Sequence, residues 1–253
     1  MLQKMSALFF CITVVAGSLL AQGWWDSKSY TAWSKAEVTK MLDKSPWGVV
    51  LNRSIERIGQ QQVNPIINPT QGVSAEASPK GELAYDKFSL HISLVTAKPV
   101  RMALARRAIL ADPNAAGKID WEGYVDQEDL QNIIVVVNST AATTNWTLAY
   151  TLSRILGSLT TDDLASQTFL SIDGKKKALL AKYDGLGENG YGVKFCFPRN
   201  LPDGSPLVAP GDKEMRFHSI IPLPRMGATG QNSIAVDAKW DLRKMTYKGK
   251  LCF

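Results

Sequence analysis

Histidine and cysteine are scarce in this 253-residue chain: there are two histidines, His91 and His218, and three cysteines, Cys11, Cys196 and Cys252. So few, with no two at ligand-like spacing, exclude a dense disulfide scaffold and a zinc site built on local motifs. No Gly-x-Ser-x-Gly elbow and no phosphate-cradling glycine loop occurs, which removes the common hydrolase and nucleotide-binding signatures. The formal net charge is +6, but no basic block of the length that marks nucleic-acid binding carries it. Charged residues make up 21% and hydrophobic ones 45%, which excludes a wholly disordered, collagen-like or polytopic membrane chain. No metal and no cofactor is expected.

Long apolar runs are also missing, with one partial exception. Met5 to Leu20 is apolar apart from Ser6, Thr13 and Ser18, follows Lys4, and contains no acid. It is shorter than the 18 or more residues of a spanning helix and has the layout of a secretory signal. We expect residues 1–21 to be a signal peptide cut after Ala21, leaving Gln22 to Phe253; an uncleaved segment would instead be a membrane anchor. Cleavage removes Cys11 and leaves an even number of cysteines for an oxidising compartment. Cys196 and Cys252 lie in matching contexts, Lys-Phe-Cys-Phe and Lys-Leu-Cys-Phe. Strand alternation would point Phe195, Phe197, Leu251 and Phe253 inward and place each cysteine beside a lysine. Two such strands side by side would carry a Cys196–Cys252 disulfide.

The pattern along the mature chain predicts an α+β fold, with mostly antiparallel sheet or sandwich, an N-terminal capped helix and one or two further helices. Ser34-Lys35-Ala36-Glu37 is a capping box, and Ser45-Pro46 stops the helix near Lys44. Residues 47–58 read as a strand, with a short helix as the alternative. Residues 59–87, with Gln60-Gln61-Gln62, Pro65, Pro69 and Pro79, read as a long loop inside a single domain spanning 22–253. Phe88, Leu90, Ile92 and Leu94 alternate with Ser89, His91 and Ser93, a half-buried strand. Pro99 opens a helix, Ile133 to Val137 is a central strand, and Thr147 to Leu159 leans helical. Asp173-Gly174 marks a hairpin between Thr168–Ile172 and Lys176–Tyr183. Further strands are expected over Val193–Phe197, Met215–Ile221, around Ile234–Trp240, and over Met245–Phe253.

Trp33-Ser34-x2-Glu37-Val38, Ser45-Pro46-Trp47, Pro99-Val100-Arg101 and Asp241-Leu242-Arg243-Lys244-Met245-x-Tyr247-x-Gly249-Lys250-Leu251 together resemble a group of uncharacterised exported bacterial proteins. The resemblance implies export and one shared fold. It implies no activity and no catalytic residue.

The candidate chemistry is sparse. His91 shares a strand face with Ser89 and Ser93, but neighbours two apart are separated by nearly 7 Å of rise, too far for direct nucleophile activation. His218 alternates in the same way, so both read first as polar-face histidines and second as general bases. Asp112-Pro113-Asn114-Ala115-Ala116-Gly117-Lys118-Ile119-Asp120-Trp121-Glu122-Gly123 approaches a calcium loop, but Ala116 and Gly123 stand at positions 5 and 12 where ligands are needed. A capped loop is the simpler reading. Arg101, Arg106 and Arg107 read as a solvated helix face, and Trp24, Trp25 and Tyr30 as aromatics folded back on the core. A C-terminal Phe253 after Tyr247 and Leu251 also suits an outer-membrane strand.

The expected function is therefore an exported, non-catalytic binding or structural module of the bacterial envelope, periplasmic or secreted, with a protein or polysaccharide partner and no nucleic acid. Membrane association is expected only if the leader stays uncleaved. The alternatives are a periplasmic hydrolase with its site around His91 or His218, and an outer-membrane-associated β protein.

Overall fold

The computed structural model describes residues 23–56, 85–141, 146–185, 191–226 and 231–253. The apolar leader, its cleavage point, Cys11 and residues 59–84 of the expected loop lie outside them. Residues 85–87, expected in that loop, already belong to a strand. Among the described residues there are six α-helices and eleven strands in antiparallel sheets, an α+β architecture dominated by sheet. None of the described helices is long and apolar enough to cross a membrane.

The chain opens with a short turn of helix, α1 (Trp24–Ser27), and then α2 (Lys35–Lys44). The capping box forms as the sequence implies: Ser34 Oγ accepts from the Glu37 amide at 3.2 Å, and the Glu37 carboxylate accepts from the Ser34 amide at 2.7 Å. Lys28, which bonds the same carboxylate, and Ser34 hold the Glu37 pKa down to about 2. Val38, Met41 and Leu42 bury the other face of the helix. The chain then turns sharply into β1 (Gly48–Glu56). A Cβ on Gly48 would lie 2.0 Å from the Leu42 carbonyl oxygen, so only glycine lets strand and helix approach this closely.

β1, β2 (Tyr85–Leu94), β3 (Asn132–Ala141), β7 (Val193–Pro198) and β6 (Lys182–Asp184) form a five-stranded sheet in that order, every pair antiparallel. Register puts Val49, Ile92, Val137 and Val193 in one row and Leu94, Val135 and Phe195 in the next. That face packs on the second sheet, β5 (Lys176–Leu179), β4 (Phe169–Ile172), β8 (Glu214–Met226) and β9 (Gln231–Asp241). Phe217 on β8 meets Phe195 and Phe197 edge-on, with ring centroids 5.1 and 5.9 Å away. All three rings are fully buried, each contributing roughly 1.5–3 kcal/mol of burial.

The opposite face of the five-stranded sheet carries α2. The Ser93 hydroxyl donates to the Leu42 carbonyl at 3.2 Å and fixes the helix there. α3 (Lys98–Ala111) lies beside α2 and buries Val100, Met102, Ala103, Leu104 and Ala105. α4 (Trp121–Asp126), α5 (Trp146–Ser158) and α6 (Thr161–Ala165) complete the helices. The Leu156 carbonyl on α5 accepts from the Tyr183 hydroxyl, which ties α5 to the sheet edge.

Four expectations require correction. The strand expected over Lys176–Tyr183 is two: after the Asp173-Gly174 turn, with both residues at positive φ (50° and 68°), β5 stays in the four-stranded sheet while β6 joins the other. The strand expected over Met245–Phe253 is a hairpin, β10 (Thr246–Tyr247) and β11 (Lys250–Leu251), because Lys248 and Gly249 both take positive φ (50° and 77°). That turn reverses the expected alternation. Leu251 is exposed, while the Cys252 carbonyl accepts from Trp47 Nε1 at 2.6 Å and its amide donates to Met245 at 2.8 Å. Accordingly the Cys196–Cys252 bridge is not formed, and both cysteines are free. Their strands are not neighbours, since β7 lies between β3 and β6 and β11 pairs with β10. Burial pushes both thiols up. Finally, Arg101, Arg106 and Arg107 are not a solvated face: Arg101 is buried and bonded to the Thr96 and Val125 carbonyls, Arg106 donates to the Trp33 carbonyl at 2.8 Å, and Arg107 is half-buried.

The aromatic start does fold back. Trp24 and Trp25 stack edge-on against Trp33 and Trp47, with centroids 4.9 and 5.4 Å apart, and Asp26 accepts from the Lys248 amide at 3.0 Å. The first and last described segments therefore close against each other.

Candidate functional site

Ser89, His91 and Ser93 occupy the helix-facing side of β2, opposite the buried Leu90 and Ile92. In the sheet, His91 stands across from Asn138 and Ser89 from Thr140. α2 delivers Asp43 from above: its Oδ1 lies 2.8 Å from His91 Nδ1. On the other side of the ring, His91 Nε2 lies 2.9 Å from Thr140 Oγ1. With the Nδ1 proton directed at the carboxylate, Nε2 is the acceptor for the Thr140 hydroxyl. The imidazole thus joins a helix to two neighbouring strands through one line of hydrogen bonds.

Asp43, His91, Asn138 and Thr140 line a cleft of about 330 Å³ between α2, α3 and the sheet. Val38, Leu42, Leu110 and Ala111 supply its apolar wall, and Lys35, Asn138 and Thr140 its polar margin. Arg107 reaches in from α3, its guanidinium carbon 3.7 Å from the centroid of the Tyr191 ring. Burial lowers the Arg107 pKa and raises that of Tyr191, and each side chain partly offsets the shift of the other. No described carboxylate lies within ion-pair distance of Arg107. Asp43, the acidic residue of the lining, is bonded to His91 instead.

His218 is held differently. It faces Asp237 across β8 and β9, with Nδ1 2.9 Å from Oδ1. Arg216 donates to that same oxygen through Nε at 3.0 Å and through its terminal nitrogen at 2.6 Å. Burial acts to raise the Asp237 carboxyl, but the His218 and Arg216 donors outweigh it and leave it lower than usual. The His218 ring also lies 4.9 Å from that of Phe169. This cluster braces the outer face of a sheet.

The near-calcium motif is a capped loop. Asp112 accepts from the Asn114 amide at 2.9 Å, and Asp120 caps α4 by accepting from the Gly123 amide at 2.8 Å. Among the described residues no three metal-ligating side chains converge.

Of the residues singled out from the sequence, the structure brings His91 to a cleft and leaves His218, Cys196 and Cys252 apart from it. Asp43, Arg107, Thr140 and Tyr191 were not legible as partners. The nearest signal was the three arginines on an otherwise apolar helix, where a solvated face would need more polar company. The chain matches no protein-family model, no curated protein and no solved structure.

Proposed function

We propose that the protein is an exported binding module whose small ligand occupies the cleft between α2, α3 and the β2–β3 face. The cleft itself carries this reading: it is concave, mostly apolar, and has a few convergent polar groups, the usual composition of a small-molecule site. The apolar leader at 1–21 supports export, in agreement with the residues that resemble exported bacterial proteins. The test is a thermal-shift screen of a small-molecule library on the protein and on Ala111→Trp, which fills the exposed rim of the cleft. Hits whose shift vanishes in Ala111→Trp are expected; hits indifferent to it would sink the reading. N-terminal sequencing of cell fractions tests export, with Gln22 first in the periplasmic material.

A second reading rests on the Asp43–His91–Thr140 line. In a hydrolase, Thr140 Oγ1 would attack an ester carbonyl as His91 Nε2 takes its proton, the ester C–O bond would break as that proton passes to the departing alcohol, water would then release the acyl group as an acid, and Asp43 would steady the imidazolium. Fluorophosphonate would then label Thr140 in the native protein and not in His91→Ala. Unlabelled native protein would leave the binding reading alone in place.

A further inference from the structure

Building on the binding reading, we infer that the ligand is a small monocarboxylate with an apolar tail, its carboxylate received by Arg107. Every other half-buried or buried arginine described here gives donors to a carbonyl or carboxylate oxygen of the fold. Arg53 serves the Ala235 and Asn52 carbonyls, Arg101 those of Thr96 and Val125, and Arg106 that of Trp33. Arg199 serves the Asp129 and Phe253 carbonyls, and Arg216 the Asp237 carboxylate.

Arg107 is the exception among the described residues, having Tyr191 as its partner and lying over that ring. The Tyr191 hydroxyl is a neutral partner that takes up only part of the guanidinium's five donors, and the remaining in-plane edge is the fork that matches a carboxylate in two parallel hydrogen bonds. A desolvated cation without a counter-anion is costly, so an incoming anion gains from pairing with it. The Asp43 charge acts on Arg107 from a distance without an ion pair, its carboxylate being engaged by His91 at 2.8 Å. Lys35 at the rim adds a second positive charge.

The tail follows from the opposite wall. Val38, Leu42, Leu110 and Ala111 offer apolar surface and no donor, so a bare inorganic anion would leave that wall wet. The volume of about 330 Å³ holds roughly eleven water-sized groups at about 30 Å³ each. A straight-chain acid of about six to ten heavy atoms fits that space.

The experiment is calorimetric titration of the full mature protein, Arg107→Gln and Ala111→Trp with octanoate, octanamide and inorganic phosphate. Octanoate is expected to saturate at one site, to weaken about tenfold or more in Arg107→Gln, and to be lost in Ala111→Trp. Octanamide, with the same tail and no charge, is expected to bind weakly and equally to the native protein and Arg107→Gln. That equality also shows that Arg107→Gln keeps its cleft. Octanoate binding that survives Arg107→Gln but not Ala111→Trp would overturn the carboxylate assignment and leave the cleft as a binding site. Phosphate binding as tightly as octanoate would overturn the tail. Octanoate indifferent to both substitutions, or not bound at all, would overturn the inference; a cleft-dependent hit from the library would then still keep the binding reading.

Discussion

His91 and His218 each hold an aspartate through Nδ1, at 2.8 and 2.9 Å, and their side chains are exposed to similar degrees. Their surroundings separate them. Asp43 has His91 as its hydrogen-bonding partner among the described residues, and His91 has a second bond to Thr140, so three elements depend on one ring. Asp237 has His218 and Arg216 together, and both lie on the same two-stranded ladder, which backbone hydrogen bonds already hold. A histidine pair between elements positions a cleft, whereas the same pair within a ladder decorates it.

That contrast can be broken most directly by deleting each ring in turn. His91→Ala leaves the part-buried Asp43 carboxylate without its partner, which costs about 1–3 kcal/mol, while the exposed Thr140 hydroxyl turns to water. His218→Ala leaves Asp237 paired with Arg216, and the loss is expected below about 1 kcal/mol. Urea unfolding of both variants measures the difference. Equal losses would show that His91 does not join α2 to the sheet in the way its bonds suggest.

Local signals carried most of the fold. The capping box, the Ser45-Pro46 stop, the Asp173-Gly174 turn and the alternation from Phe88 to Leu94 are each contained within a few residues, and each formed as read. Lys248-Gly249 was equally local but was hidden by the apolar stripe around it, so a hairpin passed for a strand and took the disulfide expectation with it. The cleft was mostly invisible for a different reason. Asp43 and His91 are 48 positions apart, His91 and Thr140 49; the first contact depends on how α2 settles on the sheet and the second on the register of β2 against β3. Ser89 and Ser93 were the natural partners to weigh for His91 because they share its strand face. The actual hydroxyl came from the adjacent strand, where cross-strand neighbours approach within contact distance. Arg107 was misread because a helix face is solvated only if nothing covers it, and Tyr191 comes from a segment 84 residues away that no helical periodicity announces.

The smallest expected effect concerns acid. The Asp237 carboxyl is lowered in the folded protein because the His218 and Arg216 donors outweigh the cost of burial. A carboxyl lowered on folding stabilises the protein at pH values above its unfolded pKa, about 4, and the contribution fades as pH falls through the lower folded value. Asp237→Asn removes this dependence, so its stability should fall less steeply than that of the parent between about pH 5 and pH 2. The side chain is 36% exposed, and solvent screening limits the difference to a fraction of about 1 kcal/mol. Other carboxyls keep the remainder of the acid limb in both proteins: Glu37 is lowered by Lys28 and Ser34, and in Asp129 and Asp212 backbone amides and neighbouring cations outweigh burial. Thermal melts taken at half-unit steps of pH would resolve the two slopes. If they coincide, the His218 cluster contributes geometry to the outer sheet and no pH-dependent stability, and the contrast with His91 becomes sharper still.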